Sequence, residues 1–170
     1  IYKLKKRPAI NPLIIHYLDY KAAKDDVEFN KNFFKIYQKF CPGPITFILK
    51  KKVRSKINKN ALAKLKTIAV RFPSHKVVRS VLKKINFPLA MPSANMSSKV
   101  SPVKAEDVAE EFKNKIKFII NGGKSRVGIE STVVDLTKKP KIIRPGIIGS
   151  SLINKILKIR ISMINKKMKI

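Results

Sequence analysis

The chain has 170 residues, 44% of them hydrophobic and 29% charged, which is one globular domain's worth and long enough to bury a core. No apolar run approaches the roughly 20 residues of a membrane helix, no secretory signal opens the chain, and a lone cysteine, Cys41, excludes an intrachain disulfide; a soluble, cytoplasmic protein with a buried structural thiol is expected. The net charge of +29 points to a polyanion such as tRNA or double-stranded RNA, but the excess is mostly lysine in a chain also rich in Ile and Asn, which an AT-rich genome produces without selection for binding.

The chain opens on Ile1, and Ile1-Tyr2-Lys3-Leu4 reads as the last turn of a helix already under way, so an N-terminal segment is expected upstream. Lys5-Lys6-Arg7-Pro8 leads through Asn11-Pro12 into an apolar strand, Leu13 to Tyr17, closing near His16. Phe33, Phe34, Ile36, Tyr37 and Phe40 recur at helical spacing, and core packing explains these aromatics better than base stacking. Cys41-Pro42-Gly43-Pro44 breaks the chain before a strand at Ile45–Leu49. Lys50 to Asn60 is a basic loop, and Thr67–Arg71 the next strand. Ser74 is the expected cap of a helix with Val77, Val78, Val81, Leu82 and Ile85 on one face.

The stretch Leu89-Ala90-Met91-Pro92-Ser93-Ala94-Asn95 halts a short apolar strand at a proline, and a two-residue period would aim Ser93 and Asn95 to one side. Open α/β sheets build ligand sites at such strand ends, although Pro, Ser and Asn are also ordinary turn residues. Ser101 and Pro102 are the expected cap and first-turn proline of a helix carrying Val108, Ala109 and Phe112. Strands are expected at Phe118–Ile120, Val133–Leu136 and Ile142–Gly146, then a helix over Ser150–Ile159 and a frayed basic tail. The mixture predicts a twisted, mixed α/β sheet.

His16 and His75 are far apart and no cysteine pair exists, so no protein-bound metal site is predicted. Neither a nucleophile elbow nor a phosphate-binding P-loop is present. What recurs is a cation or hydroxyl at the end of an apolar strand: Arg7, Arg71, Ser93, Ser131 and Arg144. Such an array neutralises and positions an anion rather than supplying a strong base, which fits phosphoryl or nucleotidyl transfer.

These residues also resemble a family. Lys5-x-Arg7-Pro8 with Asn11-Pro12-Leu13-Ile14-Ile15-His16, Pro42-Gly43-Pro44-Ile45-Thr46, Val70-Arg71-x-Pro73-x-His75, Pro92-Ser93-Ala94-Asn95, Gly122-Gly123, Gly128-Ile129-Glu130-Ser131-Thr132-Val133-Val134-Asp135 and Arg144-Pro145-Gly146 are similar, in order, to the YrdC/TsaC family of threonylcarbamoyl-AMP synthases. The resemblance implies a YrdC-like twisted open sheet with flanking helices around a basic cavity. It places an N-terminally truncated YrdC-like domain at 1–149 and a basic C-terminal helix and tail at 150–170.

The implied reaction joins L-threonine, bicarbonate and ATP into threonylcarbamoyl-AMP and pyrophosphate, for threonylcarbamoyladenosine in tRNA. Magnesium would come with ATP, and a tRNA-modifying transferase would take the product. The resemblance makes Lys5 and Arg7 catalytic. It assigns Arg7, Asn11, Thr67, Ser93, Asn95, Ser101 and Arg144 to the nucleotide, and His16, Arg71, Met91 and Ser131 to threonine.

Departures stand beside the match. Lys6 and Ser98 occupy positions where the family has glycine, Val103 replaces a threonine, and Met91 is larger than usual. The family's Pro-Thr-Glu-Thr-x-Tyr-Gly segment would lie upstream of Ile1. Two other readings remain: a non-catalytic RNA-binding or ribosome-assembly factor of the same fold, and a carbamoyl-transfer module like that of hydrogenase maturation proteins.

Overall fold

Strand residues here alternate in kind, and the pleat turns that alternation into two faces with different chemistry. The computed structural model describes residues 1–125 and 130–163. Its strands are β1 (Ile14–His16), β2 (Ile45–Lys50), β3 (Thr67–Arg71), β4 (Leu89–Ala90), β5 (Thr132–Asp135), β6 (Lys141–Arg144) and β7 (Ser162–Met163). They form one sheet in the order β4-β1-β3-β2-β5-β6-β7. β1 with β3, β2 with β5 and β6 with β7 run parallel, and the other neighbours antiparallel, as the mixed α/β expectation requires. The helices are α1 (Tyr2–Lys5), α2 (Lys31–Phe40), α3 (Lys76–Lys84), α4 (Ala105–Phe112) and α5 (Ser150–Leu157).

One row of paired residues, Ile15–Val70–Phe47–Val134–Ile142, crosses five strands and is almost wholly buried. Phe33 and Ile36 of α2 cover this face, with the Phe33 ring centroid 4.9 Å from that of Phe47. Asn30 fixes the start of α2: its carbonyl oxygen accepts the Phe33 N–H at 2.9 Å, and its amide donates to the Leu136 carbonyl at 2.8 Å. α5 packs beside α2 and buries Ile153 and Leu157. Ile161 is also buried and β7 extends the sheet, so the chain just after α5 belongs to the core where a frayed tail is expected; residues 164–170 lie outside the described residues. Cys41 is half-buried, and burial pushes its thiol up to about 12.

Three local expectations are corrected. Phe118–Ile120 is not a strand: the three residues have no pairing partner among the described residues and are exposed, because an apolar run needs a neighbouring edge to become a strand. The cap expected of Ser101 is supplied from within the helix, as the Asp107 carboxylate accepts the Val103 and Lys104 N–H groups at 2.9 Å each and α4 begins at Ala105. Those two bonds hold the Asp107 carboxyl below its usual range. Ser74 likewise lies one residue before the cap position of α3, which His75 occupies without a side-chain bond.

Candidate active site

A second row of pairs, one residue along from the core row on β1, β3, β2 and β5 and, past a register shift, two along on β6, runs His16–Arg71–Thr46–Val133–Arg144. It faces away from α2, and on that side the sheet floors a cavity of about 270 Å³. Arg7, His16, Arg71, Met91, Ser93, Ser101, Ser131 and Arg144 all line it, together with Ser125 and Glu130. Ser93, Ser101, Pro102 and Ser125 also border a larger trough of about 1400 Å³ that runs past His75, Lys104 and Gly122.

The cavity is cationic and incompletely paired. Arg71 is half-buried, and burial followed by the Arg144 charge lowers its pKa, with Glu130 opposing. Its Nε is buried without a hydrogen-bond partner among the described residues. A guanidinium left so is a strong fit for a carboxylate or phosphate oxygen. His16, beside it, is pushed down to about 4 by burial and then by the Arg71 charge, so its ring is neutral at pH 7. The Ile14 carbonyl, 3.2 Å from Nδ1, can only accept, which places the ring's proton on Nδ1.

Arg144 is the best held of the cations. Its Nη2 donates to the Ser131 carbonyl at 2.9 Å and the Ser131 hydroxyl at 3.1 Å, and its Nη1 pairs with Glu130. Ser131 Oγ lies 2.8 Å from Thr46 Oγ1. This approach depends on Gly146, since a Cβ there would sit 2.4 Å from the Glu130 carbonyl oxygen and the Thr132 nitrogen. Arg7 is held by its own loop, donating to the carbonyls of Asn11 at 3.2 Å and Pro12 at 3.0 Å.

Four residues singled out in the sequence lie off the cavity wall. Lys5 is 5% exposed; its ammonium donates to the Ser93 carbonyl at 2.6 Å and to the Asn95 carbonyl, so it holds the loop that carries Ser93. Burial, then the Arg7 charge, lowers its pKa. β4 ends at Ala90, so Ser93 and Asn95 do not share a strand face: Ser93 borders the cavity, whereas Asn95 is buried and donates to the Lys99 carbonyl at 2.6 Å. Asn11 offers its carbonyl to Arg7 and Tyr2. Thr67 begins β3 while Arg71 ends it, placing the two about 13 Å apart at the usual strand rise. Gly128 and Ile129 lie outside the described residues.

Lys6 and Ser98 both take left-handed backbone, at φ 50° and 70°. Left-handed backbone is the shape that glycine favours, which is what the resemblance expects at both positions. Thr46 and Glu130 were not singled out for the site. For Thr46 the signal was a fully polar residue between core Ile45 and Phe47; for Glu130 it was adjacency to Ser131.

Comparison with known proteins gives the family and the fold. The chain is 40% identical over 159 residues to the threonylcarbamoyl-AMP synthase of Pyrococcus abyssi, covering 92% of this chain and 46% of that protein. It is 38% identical to the threonylcarbamoyl-AMP synthase of Bacillus subtilis, covering 86% and 42%. The crystal structure of P. abyssi Sua5 complexed with L-threonine superposes with a TM-score of 0.89 at 38% identity, over 95% of this chain and 47% of that one. The chain thus spans about half the length of these relatives. The Sua5/YciO/YrdC family model, described as telomere recombination, matches residues 1–146. That span takes in every strand flooring the cavity, and the chain belongs to the Sua5/YciO/YrdC family.

Proposed function

We propose that the protein is a threonylcarbamoyl-AMP synthase, joining L-threonine, bicarbonate and ATP with release of pyrophosphate. The observation that carries this reading is the Arg71 guanidinium, with a buried unpartnered Nε, in a cavity that also receives Arg7 and Arg144. Both reactants are anions, and their mutual repulsion is the barrier such a wall lowers. Arg71 and Ser131 hold the amino-acid carboxylate, with neutral His16 and Met91 closing the pocket around the rest of threonine. Arg7, Ser93, Ser101 and Arg144 take the nucleotide, and Lys5 acts by fixing the Ser93 loop.

Threonine's amine adds to carbon dioxide from bicarbonate to give a carbamate. A carbamate oxygen then attacks the α-phosphorus of ATP, the new P–O bond forms, and pyrophosphate leaves with the electrons of the broken bond. Magnesium enters as ATP's counter-ion. Its expected ligands are phosphate oxygens and water. The mixed anhydride is labile, which calls for direct hand-off to a tRNA-modifying transferase. No described helix is long and apolar enough to cross a membrane.

The test is pyrophosphate release by the full-length protein with threonine and bicarbonate each present or omitted, and serine as the control amino acid. Release that needs both co-substrates is expected. A folded protein that releases none, yet binds RNA in a steeply salt-dependent way, overturns this reading in favour of an RNA-binding role.

A further inference from the structure

We infer that Thr46 is a positioning residue that commits the Ser131 hydroxyl to donate its proton into the cavity. The inference follows from the hydrogen inventory of two hydroxyls. Each has one proton to give and two sites that accept. Thr46 is fully buried in the centre of the sheet, opposite Arg71 on β3 and Val133 on β5. Its hydroxyl has one partner among the described residues, Ser131 Oγ at 2.8 Å. Were Ser131 to donate across this bond, the Thr46 proton would be buried with nothing to accept it. The satisfied arrangement therefore has Thr46 donating to Ser131.

Arg144 can only donate, and its Nη2 reaches the same oxygen at 3.1 Å. Both accepting sites of Ser131 are then occupied, and its own proton is the one group left to point at a ligand. Ser131 thus presents a hydroxyl donor to the cavity that Arg71 also lines. A carboxylate, which only accepts and is anionic, meets both that hydroxyl and the Arg71 charge, whereas an ammonium meets neither. Given the synthase reading above, on which this inference rests for the ligand's identity, Thr46 dictates that the amino acid enters carboxylate-first, with its amine directed away from Arg71.

The full-length protein should be titrated calorimetrically with L-threonine, with L-threoninamide, whose amide replaces the carboxylate, and with inorganic phosphate. Four variants are compared: Thr46→Val, which keeps the shape and removes the hydroxyl; Thr46→Ser, which restores it; Ser131→Ala; and Ser131→Ala combined with Thr46→Val. Expected are about a tenfold loss of threonine affinity in Thr46→Val, a reduced preference for threonine over its amide, and recovery of both in Thr46→Ser. In the Ser131→Ala background Thr46→Val should change nothing further, which a merely structural role would not produce. Should Thr46→Val fail to fold, Thr46→Cys, a weak donor of similar size, takes its place under the same expectations.

A folded valine variant that binds and discriminates like the parent overturns the inference. If the parent ignores threonine but binds phosphate, and phosphate affinity falls in Thr46→Val and returns in Thr46→Ser, the synthase reading falls while the role of Thr46 stands. If the parent ignores threonine and phosphate affinity is the same in all variants, both fall.

Discussion

The two rows that cross the sheet, Ile15–Val70–Phe47–Val134–Ile142 and His16–Arg71–Thr46–Val133–Arg144, are one residue apart on four of the strands and two apart on β6, yet they solve opposite problems. The first is closed: α2 and α5 cover it, and its members are at most 2% exposed. The second is left open at the point where its charges gather, with a buried Nε on Arg71 that has no partner among the described residues. The first row stores stability; the second gathers the cations that would receive a ligand.

Breaking the closed row should have the largest effect. Phe33→Ala removes the fully buried ring that meets Phe47 and should cost about 3–5 kcal/mol by denaturant titration; a loss below about 1 kcal/mol would mean that α2 does not seal that face. Next comes the pH dependence of the open row. The His16 pKa falls from 6.5 unfolded to about 4 folded, so its contribution is fully present above pH 6.5 and is lost as pH drops toward 4, where the unfolded chain takes the proton first. The loss amounts to about 3 kcal/mol. His16→Gln should therefore flatten the stability profile between those two values, and an unchanged slope would show that His16 does not carry it.

Arg71→Ala should weaken threonine binding by about 1.5–3 kcal/mol while the melting temperature holds or rises, since a half-buried cation beside the Arg144 charge is removed. Ser93→Ala should weaken ATP and spare threonine; equal losses for both substrates in either variant contradict the division of the cavity. The smallest effect is expected of Lys6→Gly and Ser98→Gly, where left-handed backbone is relieved. Each should stabilise by about 0.5–1 kcal/mol, and a loss would place the strain elsewhere.

Much of this was legible in the sequence, and for a physical reason. The strand at Thr67–Arg71 could be read because Ile68 and Val70 alternate with polar or small residues, and alternation is a local property. The arginines could be read because a cation ending an apolar run rarely has a packing role. Phe118–Ile120 misled because its pattern is that of a strand while its partner is a matter of tertiary structure. Lys5 and Asn95 sit beside the motif that marks the site, but whether a motif residue touches the ligand or holds its neighbour is decided by burial, to which spacing is blind. Thr46 was quoted within a motif, yet its partner is 85 residues away.

That separation has a consequence for how the molecule comes together. The bonds that shape the cavity join Lys5 to Ser93, Lys5 to Asn95 and Thr46 to Ser131, across 88, 90 and 85 residues. Each closes a long loop, and the entropy of closure must be met before the contact returns anything. The helices and the β2–β3 hairpin draw on nearer neighbours. The cavity is therefore among the last features to form on folding and among the first to open under stress, which makes ligand affinity a more sensitive gauge of an intact fold than helix content.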